Sequence, residues 1–252
     1  DFDNRNNPFR DHTVIYIPYC TADVHLGNKI GQYVLPRLEN FSGGTFEINH
    51  TGYPNVKVAL DWIHEHLIDP SEFIVAGSSA GSVAVPVYAA LIKDHYADAR
   101  VVGLGDASGG YRGANFNPFD VWAIGDVLDQ SSRFNSINRN GLGFYELFIA
   151  AGERGDMVLA SFDTKEDTVQ KQFMGALGQE VDSLLPTLKA NLAEISDQTA
   201  NFNYFVADGS FHTILLRPQL YSLTESGVLF LEWFEELMRT GSVENVLCRD
   251  CN

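Results

Sequence analysis

Gly77-Ser78-Ser79-Ala80-Gly81 stands where an apolar run, Glu72 to Ala76, gives way to a helix-forming stretch from Val83 to Ile92. Gly-x-Ser-x-Gly between a strand and a helix is a nucleophile elbow: the serine takes a strained backbone conformation, and small neighbours let the chain turn sharply enough to expose its hydroxyl. With 22 Gly and 16 Ser in 252 residues, chance alone gives about 0.1 such matches per chain, so the flanking context carries the weight. A serine hydroxyl is a weak nucleophile by itself and needs a general base, which in turn needs an orienting acid.

Both partners follow in the order that acyl-transfer chemistry on a parallel sheet requires. Three more strand-like runs lie after the serine, at 99–105, 156–162 and 202–207. The second leads into Asp163, and the third is followed by a loop carrying His212. An acid after a downstream strand and a histidine after the last one predict a triad of Ser79, Asp163 and His212. Asp106 and Asp208 also follow strands, and Glu166 and Asp167 lie close to Asp163. Asp106 is expected to bond the backbone of its own Gly-rich turn. The N–H of Ala80, opening the helix, is the expected oxyanion donor. Ser78, Tyr19, Asp23 and His25 share the expected ligand edge of the sheet and are candidate substrate contacts, or polar groups bracing a turn.

The elements that must hold these residues read as alternating strands and helices. A first strand is expected over His12–Pro18, with a polar turn at 19–27 after it and a loop or short hairpin at 40–53. Val56, Leu60, Ile63 and Leu67 share one face of a helix from Pro54 to Leu67. Two insertions, about 110–155 and 166–201, are partly helical and are expected to form a cap over the serine. A last helix is expected over Thr224–Arg239. The fold expected is α/β: an α/β-hydrolase domain spanning 1–252, a mostly parallel sheet flanked by helices.

Composition narrows the function classes. Hydrophobic residues make up 45% and charged residues 20%, as in a globular protein. A formal charge of −16, with only 17 scattered Lys and Arg, argues against nucleic acid and anionic membranes as partners. No apolar run reaches the roughly 18 residues of a membrane helix. The three cysteines are Cys20, Cys248 and Cys251, with no pairing fixed by the sequence, and Cys-x-x-Cys at 248–251 lacks the second pair a zinc site needs. His64 and His66, two apart on a helix, do not make a zinc pair and are expected at the surface, so neither metal nor cofactor is expected. Asn40 and Asn49 head sequons that matter only in a glycosylating host.

More specific text accompanies the triad. Asn7-Pro8-Phe9-Arg10-Asp11, Ile17 to His25, and Ala76 to Gly81 resemble the pectin acetylesterase/Notum-like esterases, above all their bacterial members. Asp106-Ala107-Ser108-Gly109, Phe162-Asp163 and the closing Val243 to Cys251 fit the same pattern, so the resemblance runs nearly the full length. It implies hydrolysis of carboxylic esters, with the nucleophile on Ser79, the acid on Asp163 and the base on His212. Family members carry an earlier strand ending in a Gly-rich turn that completes the oxyanion hole. The chain is accordingly expected to be a mature or cleaved piece, with the leading segment lost or held as a disulfide-linked N-terminal fragment or partner chain. A secreted or periplasmic esterase acting on an acetylated polysaccharide or another acyl ester is the leading expectation. A lipase, thioesterase or polyester hydrolase fits the same triad, and an inactive binding module is the reading from a different class.

Overall fold

The computed structural model describes residues 3–37, 42–113 and 116–251. At its centre is a four-stranded parallel sheet in the order β3-β4-β5-β6, formed by Glu72–Ser78, Arg100–Asp106, Val158–Thr164 and Phe202–Ala207. Strands β4 and β5 are buried along almost their whole length, as central strands of a parallel sheet covered on both faces are. An antiparallel hairpin precedes the sheet, with β1 (Lys29–Leu35) against β2 (Gly44–His50). Asn40 lies outside the described residues, and Asn49 is exposed on β2.

Helices cover both faces of the sheet. On one face lie α1 (Gly52–His66), α2 (Ala80–His95), α5 (Tyr145–Gly152) and α7 (Leu185–Gln198), joined in one core with Val101, Leu159 and Phe202. Short helices α3 (Pro118–Trp122) and α4 (Gly125–Leu128) add Trp122 and Val127 to that core. The other face packs on α8 (Phe230–Thr240), whose Phe230, Trp233, Phe234 and Leu237 meet Val102, Leu104, Phe162 and Phe205. Helix α6 (Thr168–Ala176) follows β5, and a two-residue pairing of β7 (Thr224–Glu225) with β8 (Val228–Leu229) precedes α8.

Several expectations change. Residues 12–18 form no strand: they make no ladder, and Val14, Ile15 and Tyr16 are exposed. A β-rich stretch becomes a strand only when a neighbour takes its hydrogen bonds, and β3 pairs with β4 alone among the described strands. The last helix begins at Phe230, because Gly227 and Ser226 take positive φ and turn the chain first. Helices α5 and α7 of the two insertions pack against β5 and β6 instead of standing off as a cap. His64 is not a free surface group, since its ring stacks on His95 of α2 at 3.7 Å.

Candidate active site

Parallel register brings the carboxyl ends of the strands together: Ser78 pairs with Asp106, and Asp163 with Val206. In such sheets ligands bind at this edge. Ser79, immediately after β3, has φ 57° and ψ −120°, a conformation costly for a residue with a side chain. Gly77 makes the turn possible, since a Cβ there would sit 2.4 Å from the carbonyl oxygen of Gly81. Ser79 is partly exposed and its side chain makes no hydrogen bond among the described residues. Ala80 begins α2, so its N–H has no intrahelical partner.

Asp106, fully buried at the end of β4, ties this elbow to the histidine loop. Its carbonyl accepts from the N–H of Ser79 at 2.7 Å, and its Oδ2 accepts from the hydroxyl of Ser78 at 2.7 Å. The same carboxylate accepts from the amides of Ile214 at 2.9 Å and Leu215 at 3.0 Å, just beyond His212. Asp106 therefore braces a distant loop and not its own turn, and the Ser78 hydroxyl is part of that brace. Burial pushes the Asp106 carboxyl up, while these donors oppose the shift.

His212 Nδ1 lies 2.7 Å from Oδ2 of Asp167. The sequence reading placed Asp163 on this imidazole; the structure corrects the pairing by four residues. Asp167 is the N-cap of α6, its Oδ1 accepting from the amides of Val169 and Gln170 at 2.9 and 3.0 Å, so its other oxygen is turned to the histidine. Asp163 instead points into the sheet edge, where Oδ1 accepts from the amide of Gly109 and from Gln170 Nε2, each at 2.9 Å. Burial pushes the Asp163 carboxyl up to about 7. Aspartate bound through Nδ1 leaves Nε2 of His212 as the free ring nitrogen. That atom is buried and without a hydrogen-bond partner among the described residues.

The turn at Thr21–Leu26 flanks the elbow. Ala22, Val24 and His25 all take positive φ, between 50° and 64°. Asp23, fully buried, holds this strain: Oδ1 accepts from the hydroxyl of Thr21 at 2.5 Å and the amide of His25 at 3.1 Å, and Oδ2 from the amide of Gly52 at 2.7 Å. It braces the turn to the start of α1, the bracing role the sequence offered beside substrate contact. Tyr19 accepts from the amide of Val24 at 3.0 Å, and its ring lies against His25 at 4.8 Å. A Cβ on Gly81 would meet Nε2 of His25 at 3.9 Å, so this imidazole borders the elbow. Burial pulls the His25 pKa down, with Asp23 opposing.

Asp167 was among the neighbouring carboxylates the sequence offered beside Asp163, whereas Gln170 was not named. A signal was present, since Asp-x-x-Gln opening an apolar-periodic stretch marks a helix N-terminus. No group of three or more metal-ligating side chains occurs among the described residues. Cys248 and Cys251 form a disulfide, and Cys20 is free and exposed.

Among solved structures, the chain is similar to the Wnt deacylase Notum from Drosophila in two crystal forms. For crystal form II the TM-score is 0.58 at 16% identity, covering 92% of this chain and 70% of that one. For crystal form I the TM-score is 0.54 at 17% identity, covering 92% and 68%. No protein-family model matches the chain, and no curated protein does. With its parallel sheet flanked by helices, the chain has the α/β-hydrolase fold.

Proposed function

We propose that the protein is a serine carboxylesterase in which Ser79 is the nucleophile, His212 the general base and Asp167 the orienting acid. The observation that carries this reading is the 2.7 Å contact from His212 Nδ1 to Asp167, which leaves a buried, unpaired Nε2 for a hydroxyl proton. A strained serine stands on the same sheet edge, tied to the histidine loop through Asp106. His212 takes the proton of Ser79 as its oxygen attacks the ester carbonyl, and an acyl-enzyme and the free alcohol form as the proton passes on to the leaving oxygen. Asp167 fixes the imidazole tautomer and stabilises the imidazolium. The N–H of Ala80 donates to the oxyanion; one such donor contributes about 2.7–4 kcal/mol.

Likeness in fold to a protein named a deacylase is in keeping with acyl transfer, and the substrate class is a carboxylic ester, with acetylated polysaccharide the first to test. The disulfide at 248–251 fits an oxidising, extracytoplasmic compartment. Hydrolysis of p-nitrophenyl acetate, abolished in Ser79→Ala, is the expected result, together with labelling of Ser79 by a fluorophosphonate. Activity unchanged in Ser79→Ala, or absent from the native chain alongside no labelling, overturns the reading in favour of a binding module.

A further inference from the structure

Four residues from the acid assigned above, a second carboxyl is buried with no role in the proposed chemistry. Asp163, Asp167 and Gln170 are all fully buried, and the Gln170 side chain connects the two acids. Its Nε2 donates to Asp163 Oδ1 at 2.9 Å and to Asp167 Oδ2 at 3.2 Å, while its Oε1 accepts from the amide of Gly110 at 3.0 Å. These contacts fix which way the amide faces: reversed, its oxygen would oppose two carboxyl oxygens. The Asp167 oxygen it touches is the one that holds His212. Gly109 and Gly110 cross over the pair so closely that a Cβ on Gly109 would sit 2.4 Å from Asp163 Oδ2, and Leu184, just before α7, and Leu188 within it lie against these two glycines. Asp163 Oδ2 is left with no hydrogen-bond partner among the described residues.

We propose that Asp163 and Gln170 are positioning residues for the Asp167–His212 pair, coupling the imidazole to a second, buried carboxyl that it does not contact. This rests on the esterase reading above for its purpose, while the imidazole titration that tests it does not. The charged and titratable groups acting on Asp163 are the carboxylates of Asp167 and Asp106, and the phenol of Tyr111 also senses it. No cation is among them. A proton on Asp163 is therefore retained to about pH 7, and the neutral acid orients Gln170 without a second negative charge behind Asp167. Once that proton leaves, the added charge strengthens the hold on a protonated imidazole, so the two titrations are coupled.

The test is a titration of the full chain labelled with ¹⁵N-histidine, following the His212 ring nitrogens by NMR from pH 5 to 9. In the native protein the curve is expected to be broader than a single-proton transition. In Asp163→Asn, which keeps an acceptor for Gly109 and Gln170, it is expected to sharpen to one proton and move to lower pH by several tenths of a unit. Gln170→Leu is expected to lower kcat for p-nitrophenyl acetate about tenfold with KM within twofold, because the acid is misdirected while the substrate surface is untouched. Superimposable His212 curves in the native chain and Asp163→Asn overturn the proposal, and a Gln170→Leu kcat within twofold of the native value overturns the part assigned to Gln170. An ester activity that survives Ser79→Ala refutes the esterase reading instead, and leaves the imidazole titration to decide this one.

Discussion

Replacing Asp163 by Asn should change how stability depends on pH. The carboxyl lies in a site that burial makes hostile to its charge, raising it from 3.8 to about 7. Between those values the native state holds one proton more than the unfolded chain, so stability falls as pH rises through this window. At about 1.4 kcal/mol per unit the full penalty is about 4 kcal/mol, of which about 2.5 kcal/mol develops between pH 5 and pH 8. The Asp163→Asn side chain has no proton to lose and keeps an acceptor for Gly109 and Gln170, so that variant serves as the reference from which this one titration is missing. Urea melts of both proteins at pH 5, 6, 7 and 8 measure the difference directly. Relative to Asp163→Asn, the native chain should lose about 2.5 kcal/mol across the series, equivalent to about 5–10 °C in Tm for a domain of this size. Two stability curves that remain parallel within about 0.5 kcal/mol would refute the argument, because the carboxyl would then ionise as easily inside the protein as outside.

Other perturbations separate the roles of neighbouring residues. Asp167→Asn should lower kcat by about 10³–10⁴-fold by releasing the imidazole tautomer, read from p-nitrophenyl acetate kinetics, and cost about 1–3 kcal/mol because its amide N–H then opposes the donor Nε2 of Gln170. Gly77→Ala forces a Cβ to within 2.4 Å of the Gly81 carbonyl oxygen; about 2–4 kcal/mol of stability should be lost in urea melts, and fluorophosphonate labelling of Ser79 with it. Asp106→Ala strands the Ser78 hydroxyl and the amides of Ile214 and Leu215. Its expected cost is about 3–5 kcal/mol, with faster hydrogen exchange at 213–215 as a local signature.

The parts of the site that could be read from the chain are those built within a few residues. Gly77 to Gly81 folds into an elbow because Gly77 leaves room for the carbonyl of Gly81, and the runs on either side form a strand, partly exposed rather than buried as its apolar side chains suggest, and a helix. Strand β6 was legible to the residue at 202–207, and α1 and β4 to within two. The choice of acid was not. Asp163 is the next-to-last residue of β5 and Asp167 lies just beyond the strand, and only the direction of the first turn of α6, which takes one oxygen of Asp167 as its cap, turns the other toward His212. Ser78, read as a substrate contact, is held by a carboxylate 28 residues away that also secures a loop 108 residues further on. Residues 12–18 have strand-forming side chains yet form no ladder, since a strand's hydrogen bonds belong to a neighbour that no local pattern supplies. Local sterics and periodicity are properties of the sequence itself. Which polar groups share a proton, and which backbone finds a partner, is decided only when distant segments meet in a space that excludes water.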